Sequence, residues 1–378
     1  MRLFREYMRR RAEIIGYEER LPEPAAEEDI AELEEGLGHP LPPDLRALYG
    51  ICDGDDLEAG LFNRHPWLGI GDIAAGGGVE EWTDVALSWE YEPHRTLIRD
   101  SDPAGAVKRS IMRPGWIPFA HSTGGDYLAV DMDPGPTRRP GQVIKIGTHY
   151  SSGPLYIADS VTTLLRRLIE ALDTATYEGK SLRYKADLPK RREAEDAACE
   201  YVNGTVSHEP RPLVQEFRAS DVDDLAFVRS APNLHGLRVE TSAELDLSPL
   251  DGLPLETLEL QGPRFDLEAL RGHGELRALT LISRKPVDLA PLEALPRLWA
   301  LDISGADVES IETIATLEGL QYLARARRSV GADRAPRPGR RGDQAHRRQG
   351  LGRGPGHDRS GTAPKLLGTL LRPPSGAD

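Results

Sequence analysis

The sequence predicts an α+β domain over residues 1–175, a linker over residues 176–215, a short α/β solenoid of leucine-rich repeats over residues 216–323 and a disordered basic tail over residues 324–378. Three observations carry this reading. Between Trp116 and Ile157 helical apolar spacing gives way to short alternating runs broken by Gly and Pro, and a helical run closes the region. From Leu234 onward a pattern L-x-x-L-x-L returns every 21 or 22 residues. Beyond Arg325 the period stops and large apolar residues become rare.

A chain of 378 residues has room for two domains with separate cores. Phe4 to about Leu37 reads as helical, with Ile30, Leu33 and Leu37 at i, i+3 and i+7. "HPLPPDLRALYGICDGDD" reads as a second helix. Pro42 and Pro43 suit its first turn, Asp44 favours the positive end of its dipole, Leu45, Leu48 and Tyr49 form a buried stripe, and Gly54 ends it. Strand candidates "GLF" and "WLGIGDI" follow, then a helical window around Val79 to Trp89 and a Pro/Asp/Gly-rich connection through Asp100 to Gly105. "WIPFA", "DYLAVDM", "QVIKIGTHY" and "LYIAD" read as a sheet. "SVTTLLRRLIEALDTA" closes it, with Ser160 as N-cap and Val161, Leu164, Leu165, Leu168, Ile169 and Leu172 on one face. Residues 176–215 are charged and weakly patterned, a linker with room for one helix.

The repeats are "LHGLRV", "LETLEL", "LRALTL" and "LWALDI", with a partial copy at Leu320 and Leu323. In leucine-rich repeats each such unit supplies a short parallel strand, and the remainder returns along the convex side. The residues between the leucines then face the concave side: Arg238, Glu240, Thr257, Glu259, Gln261, Thr280, Asp302 and Ser304. Ser242, Pro263, Arg284 and Ala306 stand where such repeats carry Asn or Cys, so no asparagine ladder is expected. Arg325 replaces the third apolar residue of the last copy, and no cap is visible. A basic interaction tail, a low-complexity linker and translation in a shifted reading frame compete as accounts of residues 324–378; the break in mid-repeat favours the frameshift.

The formal charge of −14 joins unlike parts: twelve Arg and Lys365 against four Asp give the tail +9, leaving −23 on residues 1–323. A body so acidic repels nucleic acid and anionic membranes, and a basic protein partner or a neutral one fits better. Cys52 and Cys199 match no zinc or redox spacing and read as free thiols of a reducing, cytoplasmic compartment. The N-terminus lacks the apolar core of a signal peptide, and no segment approaches a membrane span.

Chemistry is sparse. Ten histidines are scattered singly, and no Walker, zinc-protease or catalytic cysteine signature occurs. "DGDDLE" fails as a calcium loop, because Leu57, Glu58 and Arg64 occupy its fifth, sixth and twelfth positions. "GIGDIAAGGG" reads as a flexible turn. "GGDYLAVDMDPGP" gathers Asp126, Asp131 and Asp133, read as turn formers that edge a protein-binding face in preference to a metal site. Trp67, Trp82, Trp89 and Trp116 read as core, with one as an interface anchor. No cofactor, metal or catalytic residue is assigned.

In order, "LPPDLRALYGICDGDD", "WLGI", "WIPFAHSTGGDYLAVDMDPGP", "GQVIKIGTHY" and "YIADSVTTLLRRLIEAL" resemble a SUKH domain, over about residues 26–173. The resemblance implies an α+β fold without catalysis, in a superfamily whose bacterial members include toxin-neutralising immunity proteins. Gly125 and Asp126 match its glycine-aspartate turn, and Asp131 the acidic residue after its strand. The expectation is a non-catalytic protein-binding module, with a toxin-immunity protein as the sharper form. A regulatory scaffold unrelated to toxins is the alternative, and a metal-dependent hydrolase a further one.

Overall fold

Residues 2–55, 60–76, 101–110, 113–122, 124–150, 152–178, 181–189, 197–325 and 369–370 are described by the computed structural model. The N-terminal helical pattern splits in two. Helix α1, Arg2–Ile15, buries Phe4, Tyr7, Arg11 and Ile15, and α2, Glu27–Leu37, buries Ile30 and Leu33. The expected single helix fails at Gly16, which takes φ +85°, and at Leu21-Pro22 and Glu23-Pro24, where each proline pushes its predecessor out of the helical region. Helix α3, Pro43–Tyr49, stops at Gly50, ahead of the expected Gly54. Gly54 serves the next turn instead. It has φ +83°, and a Cβ there would stand 2.8 Å from the Trp67 carbonyl oxygen.

Of the strand candidates "GLF" and "WLGIGDI", only isolated bridges Phe62↔His65 and Trp67↔Ala120 form, and Ile70–Ala74 is helix α4. Asp53 and Asp55 close this region, since Asp53 Oδ1 accepts from Ile70 N at 2.7 Å and Asp55 Oδ2 from Leu61 N at 3.1 Å. Strands β1 (Trp116–His121), β2 (Asp126–Asp131), β3 (Gln142–Gly147) and β4 (Leu155–Ala158) pair antiparallel in chain order. Helix α5, Val161–Ala171, follows, its Ser160 cap accepting from Thr163 N at 3.1 Å. Asp44 Oδ2 accepts from Thr162 N at 2.8 Å, tying α3 to the start of α5.

Alternation along the strands gives the sheet two apolar faces. Ile117, Phe119, Leu128, Val130, Val143 and Ile157 join the helices in one core around fully buried Trp67. Trp116, Tyr127, Ala129, Ile144, Ile146 and Tyr156 form the other with Ala106 and Val107. Trp82, Trp89, the helical window around them and the glycines at 77 and 78 lie outside the described residues.

The described parts of the stretch read as a linker are structured. Strands β5 (Thr176–Glu178) and β6 (Ser181–Arg183) make a hairpin, with Leu182, Tyr184 and Leu188 against the helical core. Strand β7, Cys199–Asn203, then opens a second sheet. Strands β8 (Glu216–Ser220), β9 (Gly236–Glu240), β10 (Thr257–Gly262), β11 (Ala278–Ser283), β13 (Ala300–Gly305) and β15 (Tyr322–Arg325) continue it, parallel and in chain order. Two-residue strands β12 (Val287–Asp288) and β14 (Val308–Glu309) pair beside it, and short 3-10 helices of three to six residues lie between successive main strands from β8 on. At each strand start one carbonyl accepts two amides of the next strand: His235 O takes Glu256 N and Thr257 N, Glu256 O takes Arg277 N and Ala278 N, and Arg277 O takes Trp299 N and Ala300 N. The leucines of every copy fill one continuous core. Leu260 is 0 % exposed there, so Leu260→Ala is expected to cost about 2–5 kcal/mol by urea denaturation. Beyond residue 325 only Thr369–Leu370 are described, as β16, antiparallel to β15; the rest of the expected tail lies outside the described residues.

Candidate protein-binding surface

In a parallel ladder, residues at one register position stand in a row across the strands, about 4.8 Å apart. One row on the open face of the second sheet reads Tyr201, Arg218, Arg238, Glu259, Thr280, Asp302. In these strands Arg238, Glu259, Thr280 and Asp302 each directly follow buried Leu237, Leu258, Leu279 or Leu301, so the pleat turns them outward. The structure thus brings Arg238, Glu259, Thr280 and Asp302 together. Glu240 and Gln261 lie in the next row, joined by Gln261 Nε2 donating to Glu240 Oε1 at 3.1 Å, and Thr257 lies between Gly236 and Ala278 on the other side. Ser304 N donates to Asp302 Oδ1 at 2.8 Å. A shallow cleft of about 40 Å³ opens among Glu216, Arg218, Gly236, Arg238, Thr257 and Glu259.

Tyr201 and Arg218 were not among the residues anticipated from sequence. Arg218 sits in a degenerate repeat, Val214-x-x-Phe217-x-Ala219, whose spacing matches the leucine copies although none of its residues is Leu. The Arg218 guanidinium stands 5.5 Å from the Tyr201 ring centroid, and its Nε donates to Glu216 Oε1 at 2.6 Å. Arg238 Nε is 3.4 Å from Glu259 Oε1.

The three aspartates of "GGDYLAVDMDPGP" go to three different places. Asp126 Oδ1 accepts from His149 N at 3.1 Å, with Lys145 Nζ 3.9 Å from Oδ2. Asp131 is 0 % exposed, so it cannot edge a binding face as anticipated. Its Oδ2 accepts from Gln142 Nε2 at 2.8 Å and its Oδ1 from Asp133 N at 2.9 Å, while burial pushes its pKa up to about 6. Gln142 Nε2 also donates to Ala106 O at 2.8 Å, which fastens the loop of residues 101–110. Ser101 Oγ gathers Ala106 N and Val107 N in the same loop.

Asp133 belongs to a seam between the two sheets. Arg113 forks onto Glu256, with Nη1 2.8 Å from Oε2 and Nη2 2.6 Å from Oε1, and gives its Nε to Asp133 Oδ2 at 2.6 Å. Lys108 Nζ stands 2.6 Å from Asp133 Oδ1 and 3.8 Å from Glu256 Oε1. Arg109 pairs with Glu216, and its backbone N donates to Gln215 Oε1, which also meets His235 Nε2 at 3.1 Å. Burial works against ionisation of Glu256, but the Arg113 guanidinium outweighs it and holds the pKa down to about 2. Burial likewise opposes ionisation of Asp133, and Arg113 and Lys108 still hold its carboxyl below the usual range. Burial depresses His235 to about 4, leaving it neutral. Sequence gave no sign of this seam, because Lys108, Arg109 and Arg113 fall where patterning is loosest.

Among the described residues no group of three or more His, Cys, Asp or Glu side chains is placed to hold a metal ion. No helix among them is long and apolar enough to cross a membrane. Cys52 and Cys199 are both buried, and neither is in a disulfide.

Residues 24–167 match the SMI1 / KNR4 family (SUKH-1). The "Glucan synthesis regulatory protein" of Neurospora crassa is 27 % identical over 184 residues, covering 39 % of this chain and 34 % of that protein. The "Cell wall biosynthesis/cell cycle regulator smi1" of Schizosaccharomyces pombe is 31 % identical over 127 residues, covering 32 % of this chain and 25 % of that protein. The chain therefore spans about a third or less of the length of these relatives. Among solved structures, an internalin of Listeria monocytogenes is 18 % identical and covers 31 % of this chain and 36 % of its own, at a TM-score of 0.27 that carries no argument. The antiparallel sheet, helices α2 to α4 and the glycine-aspartate turn at Gly125-Asp126 all fall inside the matched span, and residues 24–167 of this chain are an SMI1/KNR4 family (SUKH-1) domain.

Proposed function

We propose that the chain is a non-catalytic, cytoplasmic protein-binding module of a regulatory assembly, in which a leucine-rich-repeat solenoid, residues 216–323, together with the preceding strand β7 presents the recognition face and the SUKH domain braces it. The observation that carries this reading is the outward row Tyr201, Arg218, Arg238, Glu259, Thr280, Asp302. It combines an aromatic residue, 68 % exposed, with two arginines, the residue types that most often anchor protein interfaces. The relatives' names describe regulators, in keeping with a binding role. Two buried cysteines outside any disulfide fit a reducing compartment.

Affinity capture with the intact chain as bait, beside a variant carrying Tyr201→Ala and Arg238→Ala, tests this. The wild-type chain should retain a partner that the variant holds at least about tenfold more weakly, about 1.4 kcal/mol. Equal capture by both, or no partner, would sink the reading. Toxin immunity is a second, sharper form, favoured by the net −23 of residues 1–323, which would speed association with a basic toxin domain and make it salt-sensitive. Co-expression with toxins encoded nearby decides it; survival unimproved against every one of them would end the immunity form.

A further inference from the structure

The charge order of the outward row defines what can lie on it. Reading across the sheet, the row runs aromatic, cation, cation, anion, neutral, anion, from Tyr201 through Arg218, Arg238, Glu259 and Thr280 to Asp302. Arg238 and Asp302 are three strands apart, about 14 Å at 4.8 Å per strand. An extended polypeptide rises about 3.3 Å per residue and returns its side chains to one face every second residue. Positions i and i+4 of such a segment therefore lie on one face at about 13 Å, close to that span.

From this match we infer that the row takes an extended polypeptide segment lying across the strands, with an acidic side chain at Arg218 and Arg238 and a basic side chain four residues away at Asp302. The inference rests on the protein-binding reading above and names the partner's chemistry. A uniformly basic segment meets two arginines at one end, and a uniformly acidic one meets Glu259 and Asp302 at the other. Only a dipolar segment is matched along the whole row. In the pair Arg238–Glu259 the Glu259 side chain is 13 % exposed and the Arg238 side chain 36 %, so the guanidinium keeps a solvent-facing side that an incoming carboxylate can reach. Tyr201, at the cationic end, offers an aromatic surface to the residue beyond the acid.

Three fluorescently labelled peptides of equal length, with Glu and Lys four residues apart, two Glu at those positions, or two Lys, are titrated against the full chain by anisotropy. The Glu/Lys peptide should bind at least about tenfold more tightly than either other. Arg238→Glu should move the preference to the two-Lys peptide and Asp302→Lys to the two-Glu peptide, with both variants still unfolding cooperatively on heating. Best binding of the two-Lys peptide by the wild-type chain, which bulk acidity alone would give, overturns the inference. So does equal binding of all three, or a preference that neither substitution moves. If a captured partner depends on Tyr201 and Arg238 while the peptides are not distinguished, this inference fails and the binding reading stands; if capture is also indifferent to those residues, both fail.

Discussion

Arg113→Ala is expected to lower the free energy of unfolding by about 3–5 kcal/mol, among the largest effects any single substitution in this chain should have. The side chain is 6 % exposed and spends its donors on Glu256 and Asp133. Truncation leaves Glu256, with 13 % of its side chain exposed, facing Asp133 with only Lys108 to neutralise both. The cost is chiefly that of stranded charge, so apolar replacement of both partners, Arg113→Met with Glu256→Met, should recover most of it. Urea denaturation measures the loss, and small-angle scattering should show the two sheets drifting apart in the alanine variant and not in the double replacement. An alanine variant within about 0.5 kcal/mol of wild type would mean that the seam contributes little.

Acidification from pH 6.5 to 4 is expected to destabilise the chain by about 3 kcal/mol net, through buried groups acting in opposite directions. Burial holds both His65 and His235 down to about 4. In this window the unfolded chain takes up their protons and the folded chain does not, so stability falls with pH, by about 3 kcal/mol for each at most. Asp131 has the reverse sign. With a folded pKa of about 6 against an ordinary 3.8, its penalty is complete above pH 6 and is relieved as pH falls towards 3.8, returning about 3 kcal/mol. Glu256 enters below pH 4.5, where the stability it contributes is lost as pH falls towards about 2. Urea midpoints at pH 7, 5.5 and 4 check the profile. His235→Gln should flatten the acid limb and Asp131→Asn should steepen it. A profile that neither substitution alters would place the acid sensitivity elsewhere.

Much of the fold is legible in the sequence because apolar periodicity reports burial directly. The four strands from Trp116 to Ala158, the helix capped by Ser160 and the parallel strands at Leu237, Leu258, Leu279 and Leu301 all follow from it. What periodicity misses is punctuation and long-range pairing. Gly16 and two prolines cut an otherwise continuous helical pattern, and Val214, Phe217 and Ala219 hide a repeat behind unlike side chains. The outward residues of the strands were legible, since leucine spacing fixes which neighbours face away. Asp131 misled, because an acidic residue shortly before Pro134 and Gly135 looks like part of a surface turn, and the burial comes from the distant Gln142 and the loop at Ala106. The seam was invisible for the same reason: Arg113 and Glu256 stand 143 residues apart, and no local pattern links them.

The seam also fixes what in this molecule is free to vary. The SUKH half grips the second sheet through Gln215, Glu216 and Glu256, at the starts of β8 to β10, while β11, β13 and β15 extend beyond the described grip. Length can therefore be added or removed at the far end, one rung at a time, without disturbing the joint. The architecture is a bracket carrying an adjustable ruler, and on the protein-binding reading proposed above the number of rungs would set how much of a partner is read.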